Sequence, residues 1–221
     1  MPTIAIIGAG PGLGLAAARR FGREGFSVAL VSRTQAHVDA LAERLGGEGV
    51  TARGYQADVH DAATLRNALA AAADDLDTVE VLQFSPVPRK DFLRPVLETS
   101  VDDLRAAAEF SILGAATAVH AVLPRMREAG RGSILFANGA SAATPNGKVA
   151  GTSVAFAGES AYGAMLHDAL EPEGIRVAQL IIPLAIDGGD PLFASDALAD
   201  RLWGLHAQPG PFRTTVGQDP V

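Results

Sequence analysis

The chain has 221 residues, of which 48% are hydrophobic and 19% are charged, and it contains no cysteine. This length suits one domain with a substantial core, and the lack of thiols excludes disulfides and thiolate chemistry. A formal net charge of -7 argues against a nucleic-acid-binding surface. We find no leader-like N-terminus and no apolar run near the roughly 18–20 residues that span a bilayer. The sequence therefore predicts a cytoplasmic protein without a membrane partner.

Apolar runs alternate with helical patterns along the whole chain. Strands are predicted at 3–7, 27–32, 51–56, 78–84, 133–137 and 176–181, and helices near 12–24, 35–45, 61–73, 100–129, 153–170 and 195–206. Continuous hydrophobicity is typical of parallel strands that helices cover on both faces. The sequence thus predicts one α/β domain over 1–221, a doubly wound Rossmann-type fold with a mostly parallel sheet of six or seven strands.

Two parts of this pattern are irregular. Pro124 is expected to end or bend the long fourth helix, because proline removes a helical hydrogen bond. Residues 185–221 are expected to form a substrate-side loop, a short helix and a tail. Ligands of doubly wound folds bind beyond the carboxyl ends of the strands, where such a loop would lie.

A glycine-rich turn separates the first strand from the first helix. It contains Gly8, Gly10, Gly12 and Gly14, while Leu13 stands where the common G-x-G-x-x-G fingerprint has its third glycine. Glycine permits a sharp turn close to a pyrophosphate, whose charge the N–H groups at the helix start then bind. This order of elements predicts a dinucleotide site; the alternative is a turn that only packs strand against helix.

The end of the second strand predicts which dinucleotide is bound. An acidic residue there would favour NAD(H) through the ribose hydroxyls, but this chain has Ser32 and Arg33. A guanidinium can pair with the 2′-phosphate, so NADP(H) is expected in preference to NAD(H). The alternative is a solvated arginine. No metal is expected, because no His/Asp/Glu cluster has metal-ligand spacing.

The spacing G-x-x-x-G-x-G, formed by Gly8, Gly12 and Gly14, resembles the short-chain dehydrogenase/reductase (SDR) family. The segments 57–59, 129–135 and 173–177 resemble the same family in order along the chain, and 203–209 is similar to the C-terminus of a divergent SDR group. This resemblance implies a cofactor site made of Gly8, Gly10, Gly12, Leu13, Gly14, Ser32, Arg33, Asp58, Val59 and Ser85. By itself, Asp58 could equally cap the helix that follows it.

The resemblance also implies hydride transfer that uses a Tyr four residues before a Lys as the acid/base. A family Ser would bind the substrate oxygen, and a family Asn would support a proton relay. No Tyr-x-x-x-Lys exists in this chain, because Tyr55 and Tyr162 are followed four residues later by Val59 and Leu166. The SDR pattern therefore predicts a divergent member without the usual Ser-Tyr-Lys set.

Two alignments of the missing pair remain open. One places Phe156 and Ser160 at its positions, and an ungapped alignment back from Gly174 places Thr152 and Phe156 there. The family's Asn falls on Ser111 and its Ser falls on Gly139. The substrate-pocket candidates are accordingly Asn138, Ser141, Ser111, Phe156 and Ser160.

Among these candidates, Asn138 and Ser141 are the most favoured for a contact to the substrate oxygen, because site residues commonly lie in the loops that follow strands. The alternative is that they only shape the turn. Ser160 could bond a ribose, although a serine inside a helix usually bonds its own backbone. His206, in the C-terminal segment, could line the pocket.

Three functions fit these observations. The first is a divergent NADP(H)-dependent oxidoreductase acting on a small carbonyl or alcohol metabolite. The others are a non-redox enzyme on the same scaffold and a catalytically silent NADP(H)-binding sensor or partner protein. The resemblance further implies a homodimer or homotetramer that pairs through helices 100–129 and 153–170.

Overall fold

The computed structural model describes residues 1–218 of the chain, so the last three residues of the predicted tail lie outside the described residues. Its seven strands form one sheet in the order β3-β2-β1-β4-β5-β6-β7, and every neighbouring pair is parallel. They are β1 (Thr3–Ile7), β2 (Ser27–Ser32), β3 (Ala52–Gln56), β4 (Val79–Phe84), β5 (Gly132–Gly139), β6 (Ile175–Ile182) and β7 (Arg213–Thr215). The predicted doubly wound α/β fold is confirmed, with the larger of the two expected strand numbers.

Helices cover both faces of this sheet. They are α1 (Leu13–Arg23), α2 (Gln35–Gly47), α3 (Ala62–Leu76), α4 (Val101–Ala108), α5 (Gly114–Ala129), α6 (Ala150–Leu170) and α7 (Ser195–Ala207). Helices α1, α2 and α7 pack in one apolar core, and α3 to α6 pack in the other. The continuous apolar strands thus divide their side chains between two buried layers.

Local signals place several helix ends. The Asp61 carboxylate accepts hydrogen bonds from the backbone N–H groups of Ala63 and Thr64 at the start of α3. Ser100 and Asp103 form a reciprocal capping box at the start of α4. After α5, Gly130 takes a left-handed conformation with φ 61°, the usual conformation that ends a helix with glycine.

The long fourth helix departs from the prediction. Its regular hydrogen bonding is interrupted by a π-helical turn at Glu109–Leu113, which separates α4 from α5. Pro124, by contrast, lies inside α5 without ending it, so the expected helix end there is wrong, and a bend at Pro124 stays a prediction. Pro124 and His120 both face solvent, and water can therefore serve the carbonyl that the proline leaves without its helical donor.

The segment Val101–Ala129 also corrects the expectation about apolar runs. An 18-residue window within it has a mean hydropathy of 1.5, so this segment is long and apolar enough, by length and composition alone, to cross a membrane. In the structure it packs against the sheet, and buried side chains on one side of α5, including Val119, Val122 and Met126, join the core. This packing is that of a core helix in an α/β domain.

The C-terminal region divides between two places. Residues 184–187 follow β6 at the carboxyl edge of the sheet, as expected of a substrate-side loop. Helix α7 instead packs on α1, where the Trp203 and Phe21 rings lie 5.1 Å apart and Arg20 pairs with Asp200 at 2.7 Å. The short helix therefore stabilises the half of the fold that contains the glycine turn.

Candidate dinucleotide and substrate site

The turn between β1 and α1 requires glycine at its first position. Gly8 has φ +88°, and a Cβ built on it would lie only 2.5 Å from the Cα of Pro86. The Ser85 N–H, immediately before that proline, donates to the Ile7 carbonyl at 3.0 Å. The absence of a side chain at Gly8 thus lets the loop after β4 approach the glycine turn.

The start of α1 offers unused hydrogen-bond donors. No atom of residues 1–218 accepts a hydrogen bond from the backbone N–H groups of Gly10, Gly12, Leu13 or Gly14. Gly12, at the N-cap, has no side chain to satisfy them. Free N–H groups and the positive end of a helix dipole together suit a diphosphate, so the residues present fit a dinucleotide.

Two cavities meet across this turn. The smaller has a volume of about 250 Å³ and the larger about 550 Å³. Both are lined by Gly8, Gly10, Pro86 and Val87. The glycine turn therefore lies between two binding spaces, as a turn holding the middle of a dinucleotide would.

The smaller cavity contains the predicted nucleotide-selecting residues. Ser32, Arg33 and Val59 line it, together with His37 from α2. Arg33 forms no ion pair with any described residue and is exposed. Its guanidinium is accordingly free to bind an anionic ligand group.

Asp58 has a different environment from its neighbour Val59. Its carboxylate accepts a hydrogen bond from the His60 backbone and lies 3.0 Å from the Nδ1 atom of the His60 ring. Burial opposes ionisation of Asp58, but these hydrogen bonds outweigh that effect and lower its pKa. Because Asp61 caps α3, the helix-cap alternative for Asp58 is wrong, and its place in the cofactor site stays a prediction.

The larger cavity brings together three of the five substrate-pocket candidates. Asn138 lines it from β5, which extends two residues beyond its predicted end, so Asn138 is not in the loop as expected. Ser141 lines it from the turn after β5, and Phe156 lines it from α6. Thr152, four residues before Phe156, lies on the same face of α6 and lines it too. Ser85 reaches this cavity as well and accepts a hydrogen bond from Gln83 at 2.9 Å.

The other candidates lie elsewhere. Ser160 does not line the cavity; its hydroxyl donates to Gln179 Oε1 at 2.7 Å, rather than to its own backbone. Ser111 is buried in the π-helical turn, also outside the cavity lining. His206 was a further candidate, but it does not line the larger cavity. Its ring packs on the Phe26 ring instead.

A buried carboxyl group that the family motifs do not point to lies beneath the larger cavity. Glu159 is 1% exposed, and its Oε1 accepts a hydrogen bond from Asn138 Nδ2 at 2.9 Å. Asn138 Oδ1 in turn accepts from Gln179 Nε2 at 2.8 Å, and Gln179 Oε1 accepts from Arg213 Nε at 3.0 Å. One hydrogen-bonded chain therefore links the cavity lining to β7.

The donor and acceptor roles in this series of hydrogen bonds are fixed at the Arg213 end. Arginine can only donate, so the oxygen of the Gln179 amide must face Arg213 and its nitrogen must face Asn138. The Asn138 amide is then oriented with its nitrogen towards Glu159. Arg213 thus orients the Gln179 amide, which in turn orients the Asn138 amide so that its nitrogen faces Glu159.

Burial strongly favours the neutral form of the Glu159 carboxyl group. It raises the pKa of Glu159 to about 8, although the hydrogen bond from Asn138 acts in the opposite direction. The available sequence signal was a lone carboxylate among apolar residues in the segment 154–166. That signal could not show that the carboxylate faces inward, because its partners lie on β5, β6 and β7.

Asp187 approaches the glycine turn from the loop after β6. Its Oδ2 lies 3.8 Å from the position that a Gly12 Cβ would take, and its Oδ1 accepts from the Ser195 N–H at 2.8 Å. Asp187 has φ 59°, a left-handed conformation that only a few residue types adopt readily. Among the described residues, it is the single charged side chain that lines the larger cavity.

The described residues contain no group of three His, Asp or Glu side chains that could hold a metal ion. The polar side chains that line the larger cavity are Ser85, Asn138, Ser141, Thr152 and Asp187.

Comparison with known proteins places this fold in a family. The family model for short chain dehydrogenase matches residues 2–188, which is most of the chain. The protein therefore belongs to the short-chain dehydrogenase family. The expected family resemblance is confirmed over both the glycine turn and the larger cavity.

Characterised relatives carry oxidoreductase names. The chain is 33% identical to D-threitol dehydrogenase of Mycolicibacterium smegmatis over 130 residues, which are 59% of this chain and 49% of that protein. It is 30% identical to sulfoacetaldehyde reductase 2 of Chromohalobacter salexigens over 221 aligned positions, covering 93% of this chain and 83% of that one. The chain thus spans about half the length of the first relative and most of the second.

A solved structure agrees with the fold throughout. The alcohol dehydrogenase of the archaeon Thermococcus sibiricus, complexed with 5-hydroxy-NADP, superposes with a TM-score of 0.85 and 21% identity. The match covers 100% of this chain and 99% of that one. The likeness shows that the two chains share a Rossmann-type fold.

Proposed function

We propose that this protein is an NADP(H)-dependent oxidoreductase that interconverts a small carbonyl compound and its alcohol. One observation carries the proposal. Two cavities meet at a turn whose four free N–H groups suit a diphosphate, and an unpaired arginine lines the smaller one. Family membership and relatives named as dehydrogenases and reductases support it.

The proposed binding roles follow from the two cavities. Arg33 pairs with the 2′-phosphate in the smaller cavity, and the N–H groups of Gly10, Gly12 and Leu13 bind the diphosphate. The nicotinamide lies in the larger cavity, where NADPH, when bound, supplies the hydride for a carbonyl carbon. This division makes Arg33 responsible for cofactor choice and the glycine turn responsible for affinity.

The larger cavity supports the ungapped alignment with the family. Thr152 and Phe156 both line the cavity, as a catalytic pair would, whereas Ser160 does not. Neither residue replaces a tyrosine acid: the Thr152 hydroxyl donates to the Phe92 carbonyl at 3.0 Å, and Phe156 has no proton to give. We therefore infer that the usual acid/base pair is absent here.

Asn138 and Ser141 are the proposed ligands of the substrate oxygen. The Ser141 hydroxyl has no hydrogen-bond partner within residues 1–218, so it can donate to an oxygen in the cavity. Water then provides the proton that completes the alcohol. Positioning of the reacting atoms carries most of the expected rate enhancement, which predicts a slower enzyme than relatives with a Tyr-Lys pair.

The test is a parallel titration with NADPH and NADH, followed by a panel of aldehydes and ketones at saturating cofactor. We expect tighter NADPH binding, together with NADPH oxidation that depends on the carbonyl compound. Saturable NADPH binding without turnover across the panel would contradict the oxidoreductase proposal. Product formation with unchanged cofactor would instead identify a non-redox enzyme.

A second candidate function is an NADP(H)-binding sensor without chemistry. The observation that favours it is the composition of the larger cavity, where Asp187 is the single titratable side chain among the described lining residues. A sensor would bind NADPH and change its affinity for a protein partner. The panel described above separates it from the oxidoreductase.

We also propose a homodimer or homotetramer. Leu113 at the start of α5, and Val154 and Met165 on α6, are large apolar side chains left exposed on the helices that family resemblance assigns to pairing. Light scattering of the purified protein tests this proposal. A monomer at micromolar concentration would contradict it.

A further inference from the structure

We propose that the larger cavity binds a neutral, predominantly apolar carbonyl compound or alcohol, with an alkyl or aryl group that extends to the cavity mouth. This inference rests on the proposed function for the reaction, and on the composition of the cavity walls for the class of substrate.

The walls away from the glycine turn are apolar. Leu93 contributes from the loop after β4, Val149 and Phe156 from the start of α6, and Leu184 and Ile186 from the loop after β6. These five side chains come from three separate segments of the chain. An apolar group in this space would therefore contact hydrocarbon on several sides.

The same walls continue outwards to the solvent. Leu93 is 47% exposed, Leu184 is 58% exposed and Ile186 is 38% exposed. Exposed apolar side chains that cluster around a cavity mouth mark a binding surface, because water contact with them is unfavourable. A ligand longer than the buried part of the cavity would cover these side chains.

Polar groups also line the cavity. Asn138 is only 4% exposed, and Ser141 lies three residues beyond it after β5. A carbonyl oxygen bound by Asn138 and Ser141 would leave the rest of the molecule in contact with the apolar lining. The cavity thus combines a buried polar group with exposed apolar side chains.

Charge excludes an anionic substrate. No Lys, Arg or His is among the described residues lining the cavity, and Asp187 adds a negative charge. The nearby Arg89 and Arg94 are already paired, with Asp91 at 3.1 Å and Asp103 at 3.0 Å respectively. An anion here would lose water without gaining a cationic partner.

This conclusion separates the chain from one of its relatives. Sulfoacetaldehyde, the compound in the name of the Chromohalobacter salexigens relative, carries a sulfonate. The cavity described here has no lining cation to pair with a sulfonate. The proposed substrate of this chain therefore differs in charge from sulfoacetaldehyde, although the two proteins share a family.

The test uses primary alkanamides, from acetamide to octanamide, because they present a carbonyl oxygen but are not reduced. Dissociation constants are measured by calorimetry, with and without NADP⁺. Each added methylene should tighten binding about three- to fourfold until the chain leaves the cavity, because burying a methylene is worth about 0.8 kcal/mol. The monoamide of glutaric acid, which replaces the terminal methyl of pentanamide with a carboxylate, should bind at least tenfold more weakly than pentanamide.

Two variants test whether the gain in affinity per methylene arises from the cavity lining. Leu93→Ser and Leu184→Ser should each reduce the gain per methylene for the longer amides. Leu97→Ser is the matched control, because Leu97 is 96% exposed on the same loop as Leu93 but does not line the cavity. An equal loss in the Leu97 variant would overturn the assignment of the binding surface.

The outcomes distinguish this inference from the proposed function. Affinity that does not change with chain length, or preferential binding of the anionic amide, would overturn the substrate class even if NADPH is oxidised. A clear chain-length dependence, with no NADPH oxidation by the corresponding aldehydes, would support the substrate class and contradict the oxidoreductase proposal.

Discussion

The two cavities on either side of the glycine turn differ in how they offer contacts to a ligand. The smaller one is lined by Arg33 and His37 next to the polar end of β2, and the larger one is mainly apolar. They share the glycine turn, where backbone N–H groups replace side chains as donors. Under the proposed function, cofactor recognition would depend on backbone N–H groups and one cation, while the substrate side would depend on shape and apolar contact.

The largest expected effect tests the element that both cavities share. Gly8→Ala should destabilise the protein and abolish NADPH binding, because its Cβ would collide with the Pro86 backbone. Gly25→Ala is a matched control, since Gly25 has nearly the same φ of +87° but open space around it. The control should cost about 1–2 kcal/mol from backbone strain alone. Gly8→Ala should cost about 1–3 kcal/mol more from overpacking.

Urea unfolding and NADPH titration measure both Gly8 effects. Equal destabilisation of the two variants, with NADPH binding retained, would show that the loop after β4 can move away from the new Cβ at little cost in free energy. The glycine turn would then not fix the relative position of the two cavities.

A second prediction concerns the support beneath the larger cavity. The Glu159 carboxyl has a pKa of about 8 when folded, against an ordinary value of 4.5. Between these values the folded state holds a proton that the unfolded state releases. The free energy of unfolding should therefore fall as pH rises from 5 to 8, by up to about 1.4 kcal/mol per pH unit from this group.

Glu159→Gln should remove that slope, because glutamine does not titrate and retains an oxygen for the Asn138 amide. Urea unfolding at pH 5, 6.5 and 8 measures the slope. Glu98→Gln, an exposed glutamate on the loop after β4, is the control that should leave it intact. A slope that persists in the Glu159 variant would mean that the carboxyl group is ionised in the fold.

A third prediction concerns the smaller cavity. Arg33→Ala should reduce the preference for NADPH over NADH about 10- to 100-fold, because hydrogen bonds to charged groups are worth about 1.5–3 kcal/mol. Affinity for NADH should change little. Arg66→Ala, which removes an exposed arginine outside both cavities, should leave the preference unchanged. An unaltered preference in the Arg33 variant would contradict the assigned 2′-phosphate contact.

The smallest effect is expected on the opposite side of the turn. Asp187→Asn should tighten NADPH and NADH binding equally, about threefold, because it removes a negative charge close to the diphosphate-binding N–H groups. Asparagine tolerates the left-handed conformation and can still accept from Ser195. The gain should shrink in 0.5 M salt, whereas a change confined to NADPH would place Asp187 near the 2′-phosphate instead.

Most of the scaffold could be predicted from sequence, because its causes are local. Apolar runs predicted six of the seven strands to within two residues, and the glycine spacing located the turn between β1 and α1. Pro124 does not end α5 as one of its two expected effects required, since the cost of a proline depends on whether water reaches the freed carbonyl. No local sequence pattern described above predicts the π-helical turn at Glu109–Leu113.

The site itself was only partly predictable. Asn138, Ser141 and Phe156 were identified from their positions near the end of the fifth strand and on the helix that became α6, and all three line the larger cavity. Ser160 was misplaced because its hydroxyl bonds a β6 side chain. Asp187 was not singled out, since its approach to Gly12 depends on how the loop after β6 folds back.

By itself, the sequence determined the order of strands and helices, the position of the glycine turn, the presence of an arginine after β2 and the lack of a Tyr-x-x-x-Lys. Only the tertiary structure decided which face of α6 meets the cavity, and that Glu159 is buried behind Asn138. The physical reason is the distance along the sequence over which each effect acts. Backbone preferences and apolar periodicity act within a few residues, whereas the chain from Arg213 to Glu159 joins side chains more than 50 positions apart.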